Sequence, residues 1–444
     1  MTTTTVPLAQ ILPLTAGVSD TGHLTLAGCD SVELAADFGT PLYVFDEETL
    51  RAQCGAFQQA FQSRYPETEV AYAAKAYLGR ALAAIIAQEE MALDVVSGGE
   101  LAIATSVRFP PERITFHGNN KSEAELAEAL DYGIGRIVID NFHEMQILNG
   151  LAQGRGMRQR ALIRLSPGID PHTHAKTTTG TLENKFGIPL PDGQAEAAVR
   201  QALGMPGIEL IGLHVHLGSP VFELAPYRQA VEVTLEFAGR MRKQYGFEMR
   251  EFSPGGGFAV AYTPDQAPPS PDDYAEVIAP ALLEGCEHHG LPQPKLTIEP
   301  GRAIVARAGV ALYTVGAWKE APGGGRYVSV DGGMADNIRP AMYESRYVTL
   351  LANRIHDERR ERVTIAGKYC ESGDVLMRDA ELPPLTPGDI LAMPAAGAYA
   401  LAMASNYNAS PRPAVVLVKD GEAKLIRRRE TYEDLMRADI WPAE

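Results

Sequence analysis

The chain has 444 residues, 45% hydrophobic and 22% charged, with 42 Gly and 31 Pro, which excludes a disordered, collagen-like or coiled-coil protein. The length fits two to four domains, or one large α/β barrel with an addition. Forty Lys and Arg against 56 Asp and Glu give a net charge of −16, which repels polyanions and argues against nucleic acid or an acidic membrane surface as a partner. Four scattered cysteines, Cys29, Cys54, Cys286 and Cys370, include no C-x-x-C pair, so neither a disulfide framework nor a zinc ribbon is indicated. MTTTTVPLAQ has no basic n-region or long apolar h-region, and no run of 18 apolar residues occurs; a soluble cytoplasmic protein is expected.

After a Thr-rich start expected to be frayed, residues 6–40 carry short Gly-punctuated segments such as HLTLAG that read as small strands. From FGTPLYVFD onward, apolar runs alternate with Ala- and Glu-rich helical patterns. The runs are 68–76, 92–99, 113–120, 135–140, 161–168, 208–219, 248–257 and 295–302. Eight strands alternating with helices predict a (β/α)₈ barrel, with a doubly wound open sheet as the competing architecture. Polar residues interrupt each unit where its strand ends: Lys75, Asp94 with Ser97, His117 with Asn119, Asp140, His216 with Ser219, Gly255–Gly257, and Glu299 with Arg302. In a barrel that edge is the C-terminal face, where active sites are built, and the coincidence favours the barrel. Beyond Arg302 the alternation gives way to short strands with Gly/Pro turns, an all-β domain. The expected division is a barrel at 41–307 and a C-terminal β domain at 308–444, which the segment 1–40 joins.

S-P-G-G-G-F (253–258) ends the seventh strand, and E-P-G-R (299–302) ends the eighth. Successive glycines expose N–H groups and permit positive φ, as an anion-binding turn requires, and barrel phosphate sites form after strands 7 and 8. Arg302 supplies a cation there. Glu299 follows Leu-Thr-Ile at the mouth, where a buried carboxylate needs a cationic partner. A protonated pyridine nitrogen is such a partner, which points to pyridoxal 5′-phosphate. That cofactor also needs a lysine for its aldehyde, and Lys75 ends the apolar strand A-Y-A-A-K-A-Y. His216 then reads as a neutral ring stacked on the cofactor, and Ser219 as a donor to its phosphate. The competing reading of G-L-H-V-H-L-G-S takes His214 and His216, two apart on one strand, as the metal ligands of a barrel hydrolase.

Taken together, FGTPLYVFDEETL, YAAKA, LDVVSGGEL, HGNNKSEAEL, ENKFGI, HVHLGS, PGGGF, EPGR, DGGMADNIRPAMY, CESGDVL and GAYALAMASNYN resemble the pyridoxal-phosphate-dependent decarboxylases built on the alanine-racemase-like barrel. The resemblance is closest to the diaminopimelate decarboxylases, and it covers nearly the whole chain. It implies that Lys75 holds the cofactor, that His216 stacks on its ring and that Glu299 pairs with its nitrogen. Ser219, Gly256, Gly257, Pro300, Gly301, Arg302 and Tyr399 would surround the cofactor and its phosphate. Arg302, Arg339, Tyr343, Glu371 and Tyr399 would grip the substrate, and Cys370 would donate a proton to it, from across a homodimer interface. No metal is implied. The chain has Gly367-Lys368-Tyr369 where the family commonly has Gly-Pro and an apolar residue, and Ser253-Pro254 where an aliphatic residue is usual. Alternatives are a sibling decarboxylase for D-ornithine, D-lysine, arginine or carboxynorspermidine, the hydrolase using His214 and His216, and a silent homologue that binds a partner protein.

Overall fold

Eight parallel strands carry the eight apolar runs: Thr68–Ala73, Ala92–Val95, Ile114–Phe116, Arg136–Ile139, Gln159–Ser166, Ile208–Val215, Glu251–Gly256 and Lys295–Glu299. The computed structural model describes residues 8–171, 178–322, 325–359 and 361–441; most of the Thr-rich start lies outside them. Each strand pairs with its chain neighbour, and the eighth pairs with the first through Leu296 opposite Thr68 and Ile298 opposite Val70. The sheet is therefore closed, and the open-sheet alternative, which would leave two unpaired edges, does not apply.

Local signals explain the helices that cover the barrel. Ser97 caps Gly98–Ser106, and Ser122 and Ser270 make capping boxes with Glu125 and Asp273, satisfying N–H groups that the first turn leaves unpaired. Gly133, Gly246 and Gly290 end their helices in the left-handed conformation. At the N-terminal strand ends, Arg136 of the fourth strand forks onto Glu251 of the seventh, with Nη2 2.9 Å from Oε1, and lies 3.3 Å from Glu69 of the first. Lys295 of the eighth also pairs with Glu69, at 2.8 Å. That ion network occupies the closed end, and the polar groups with chemical potential sit at the other.

Chain contacts divide the molecule into two units, the barrel (53–259 and 268–303) and a second unit drawn from 1–52, 260–267 and 304–444. In the second, strand Leu42–Asp46 lies between Gly309–Glu320, antiparallel, and Ala414–Lys419, parallel. Gly309–Glu320 also pairs with Arg326–Val330 and Ile390–Met393, and Glu361–Ala366 and Val375–Leu382 extend one edge. The boundary expected at residue 41 and the contact boundary at residue 52 are separated by strand Leu42–Asp46, an apolar run whose pattern does not reveal which sheet takes it, and the contact division also gives residues 260–267 and 304–307 to the second unit. Residues 6–40, read as small strands, also contain helix Ser31–Phe38: Asp30 accepts from the N–H groups of Val32 and Glu33, and Gly39 ends it at φ 69°. Leu12, Leu24, Leu26 and Leu34 pack with Leu42, Val44, Val310 and Leu312 in one buried cluster.

Candidate active site

Lys75 sits in the single turn Ala74–Ala76 directly after the first barrel strand, half-buried. Its ammonium makes no hydrogen bond or ion pair with any described residue. The turn is held against the end of the eighth strand: the Ala73 N–H donates to the Pro300 carbonyl at 3.2 Å. Gly301 is pressed so closely that a Cβ there would lie 2.9 Å from the Ala73 Cβ. The E-P-G-R segment is thus built onto the segment that carries the lysine.

Glu299, the last residue of the eighth strand, is 6% exposed and fully engaged. Its Oε1 accepts from the Ser253 hydroxyl at 2.8 Å, and its Oε2 lies 3.1 Å from His214 Nε2. His117 Nε2 stands 3.6 Å from Oε1 and 3.7 Å from Asp94 Oδ1, and the two imidazoles meet edge to face at 4.9 Å. Burial alone would raise Glu299, but His214, His117 and the hydrogen bonds from His214 and Ser253 hold it well below the usual carboxylate range. Asp94 moves the other way, pushed well up by burial and by the charge of Glu299. The surroundings thus push the two buried carboxyls apart: the histidines and Ser253 favour the charged form of Glu299, and burial with the charge of Glu299 favours the protonated form of Asp94.

The glycines after the seventh strand are required by close approach of neighbouring backbone. A Cβ would lie 2.6 Å from the Val215 carbonyl at Gly255, 2.0 Å from the Glu299 carbonyl at Gly256 and 2.1 Å from the Gly218 carbonyl at Gly257. Gly255 and Gly257 also have φ of 78° and 96°, where a side chain is strained. The Gly256 N–H donates to His216 Nδ1 at 3.2 Å, so the neutral ring carries its proton on Nε2. Burial, with the charges of Lys75 and Arg164, keeps His216 well below the ordinary histidine range and hence neutral. Arg302 donates to Ser219 Oγ from Nε at 3.2 Å and from Nη2 at 3.1 Å. Lys75, His216, Ser219, Gly256, Gly257, Glu299, Pro300, Gly301 and Arg302 therefore share one rim.

The hydrolase reading does not survive this geometry. Among the described residues, the group whose ligand atoms lie within 4.8 Å of one another is His117, His214 and Glu299. His216 is outside it, because its ring turns to the Gly256 N–H instead.

The remaining predicted residues lie in the second unit. Arg339, 5% exposed at the head of helix Arg339–Tyr343, is bonded by Tyr347 Oη and stacked 4.4 Å from the Tyr262 ring. It has no carboxylate partner among the described residues. Tyr343 and Tyr399 are half-buried, and Tyr399 has φ 60°, a region that costs a non-glycine residue energy and clusters at functional sites. Cys370 and Glu371 are exposed.

Sequence reasoning missed four contributors. Arg164 breaks the apolar pattern of the fifth strand, and it is buried 3.9 Å from Asp140 with its guanidinium over the Phe186 ring at 4.6 Å; that break was the available signal. Ser253 stood out as a departure but not as the donor to Glu299. Tyr262 and Tyr347, which enclose Arg339, carry no motif.

The rim fits pyridoxal phosphate on its own chemistry. It offers a lysine amine without a partner among the described residues, a carboxylate held ionised, a neutral imidazole and a serine–arginine pair on a glycine turn, while Asp94 Oδ1, His117 Nε2 and His214 Nδ1 are buried without hydrogen-bond partners among the described residues. Residues 47–306 match the family model of the pyridoxal-dependent decarboxylase pyridoxal-binding domain. The chain is 46% identical over 419 residues to the diaminopimelate decarboxylase of Bacillus subtilis (strain 168), covering 94% of this chain and 95% of that one. To the diaminopimelate decarboxylase of a Synechocystis species it is 44% identical over 445 residues, 98% of this chain and 94% of the other. The crystal structure of diaminopimelate decarboxylase from M. jannaschii in complex with L-lysine superimposes with a TM-score of 0.91 at 36% identity, over 96% of this chain and 98% of that chain. With the rim chemistry and the relatives in agreement, this chain belongs to the diaminopimelate decarboxylase family of pyridoxal-dependent decarboxylases.

Proposed function

We propose that this chain removes one carboxylate from meso-2,6-diaminopimelate as CO₂ and releases L-lysine. The observation that carries the reading is the convergence on one barrel rim of Lys75, ionised Glu299, neutral His216 and the Arg302–Ser219 pair; the names of the relatives supply the substrate. Pyridoxal phosphate, when bound, supplies a sink for the electron pair left by the departing CO₂.

Lys75 is the amine that anchors the cofactor. Glu299, held in its charged form by His214, His117 and Ser253, would favour a proton on the ring nitrogen of the bound cofactor, and the neutral His216 would offer its face to the ring. Ser219, Gly256, Gly257, Arg302 and Tyr399 hold the phosphate, with Pro300 and Gly301 fixing the approach of that segment to Lys75. Arg339, a buried guanidinium in a tyrosine cage, takes the distal carboxylate of the substrate in a fork that lysine could not reproduce. Glu371 takes the distal ammonium, and Arg302, Tyr343 and Tyr399 complete the grip. Cys370 delivers the proton that replaces CO₂ at the α carbon.

Cys370 and Glu371 are exposed on their own unit, a position that suits residues supplied to a second copy. We therefore propose a homodimer with shared active sites, working in the cytoplasm. No described helix is long and apolar enough to cross a membrane. The test is to record the visible spectrum, reduce with borohydride and locate the modified lysine, then measure CO₂ from meso-diaminopimelate, ornithine and arginine. Label on Lys75 and CO₂ from diaminopimelate alone are expected; a colourless protein, or a preference for ornithine or arginine, refutes the reading.

A further inference from the structure

Asp374, the last residue of C-E-S-G-D, is 3% exposed although residues 370–373 before it are exposed. Its carboxylate accepts backbone N–H groups from two separate loops: Oδ1 from Met334 at 2.6 Å and Oδ2 from Tyr369 at 2.8 Å. Room exists only because both flanking residues are glycines. A Cβ on Gly333 would lie 2.4 Å from Oδ1, and one on Gly367 2.1 Å from Oδ2. Backbone bonds continue the tie, from the Gly367 N–H to the Asp374 carbonyl (2.9 Å), from the Asp374 N–H to the Glu371 carbonyl (3.0 Å) and from the Lys368 N–H to the Gly332 carbonyl (3.1 Å). Burial pushes the carboxyl up, the two N–H groups oppose this, and no cation is paired with it among the described residues. A buried carboxylate without a cation is costly, and at the base of this exposed turn the two N–H groups are what offset that cost.

We infer that Asp374 is a positioning residue for decarboxylation: its carboxylate staples the turn that presents Cys370 and Glu371 to the loop that runs into Arg339. This rests on the roles proposed for Cys370 and Glu371. The turn is exposed and has to arrive preformed at the substrate, whichever subunit's cofactor it faces, since groups displaced by an ångström lose much of their effect. Two N–H donors converge on one side chain, and only a carboxylate offers each an acceptor; an amide must point its NH₂ at one of them.

The test compares Asp374→Asn, Glu371→Gln and the double variant, all as holoenzyme. Asp374→Asn is nearly isosteric, so cofactor content and thermal midpoint should stay near wild type while kcat/KM for diaminopimelate falls roughly ten- to a hundredfold, as loss of a charged hydrogen bond would produce. Because the two residues act as a unit, the double variant should be little worse than the poorer single one. Wild-type kcat and KM in Asp374→Asn overturn the inference, and so do strictly additive losses. Cofactor and thermal midpoint falling together with activity also overturn it, by making the residue merely structural. A wild-type KM in Glu371→Gln refutes the Glu371 assignment instead; Asp374 is then judged on kcat, where a wild-type value overturns the inference.

Discussion

Gly256 is the position where fold and site depend on the same missing atom. The seventh and eighth strands are in register there, Gly255 opposite Ile298 and Gly256 opposite Glu299. An alanine Cβ would lie 2.0 Å from the Glu299 carbonyl oxygen, whereas even close carbon–oxygen contacts between strands stay near ~3.3 Å. Both atoms belong to backbone. Neither strand can retreat freely, because the seventh is also paired to the sixth and the eighth to the first. Parting them costs about two ladder hydrogen bonds at ~1 kcal/mol each, and overpacking adds ~1–3 kcal/mol, so Gly256→Ala should destabilise the barrel by ~3–5 kcal/mol. At roughly 2–4 °C per kcal/mol for a unit this size, the thermal midpoint should drop by about 6–20 °C. Cofactor content should fall as well, since the Gly256 N–H sets the His216 tautomer and the displaced carbonyl belongs to Glu299. The assay is thermal unfolding with pyridoxal content measured alongside. Gly150→Ala is the comparison: it lies in helix Phe142–Gly154 with nothing within 4 Å of its Cβ, and should stabilise by ~0.5–1 kcal/mol. A Gly256→Ala protein with full cofactor and a midpoint within about 2 °C of wild type would refute the argument that this glycine is fixed by backbone contact.

Arg136→Met leaves Glu251 and Glu69 facing each other at the closed end of the barrel and should cost ~3–5 kcal/mol in urea unfolding; adding Glu251→Leu should recover most of it, and no recovery would mean that packing, not charge, was lost. Asp336 accepts from Tyr313 Oη (2.6 Å), Tyr43 Oη (3.1 Å) and the Gly333 N–H (2.8 Å), yet burial pushes its pKa up to about 6 from an ordinary 3.8. The folded state then binds the proton more tightly than the unfolded one, so the stabilisation is complete below about pH 4 and is lost as pH rises through about 6. The second unit should lose up to ~3 kcal/mol across that window, and Asp336→Asn should flatten the dependence. Parallel stability profiles for the two proteins would contradict the assignment.

The barrel was legible because each strand is a buried run that ends in a polar residue at the same rim, and polarity at a strand end is visible in one dimension. Partnership is not. Ser253 reads as a departure before a glycine turn, and only folding brings its hydroxyl to Glu299, 46 residues away. Strand Leu42–Asp46 has the pattern of a barrel strand, but pairing, which no local pattern encodes, gives it to the other sheet. The isolated helix Ser31–Phe38 is marked by its Asp30 cap and Gly39 stop, signals that the surrounding Gly-punctuated strands obscure.

His214 and His216 show where a sequence rule stops applying. Residues two apart share a face only while the chain remains a strand, and the sixth strand ends at Val215. His214, still inside it, faces Glu299; His216, one residue beyond, turns its Nδ1 to the Gly256 N–H. The spacing that suggested one metal therefore separates two tasks. One imidazole holds a buried carboxylate in its ionised form, and the other is kept neutral with a fixed tautomer. A shared metal would require both rings to turn their lone pairs to one point, which would cost His216 its bond to Gly256 and Glu299 its partner in His214. The same two contacts are those that Gly256→Ala disturbs, so the loss of cofactor predicted for that variant also tests the division of labour between the two histidines.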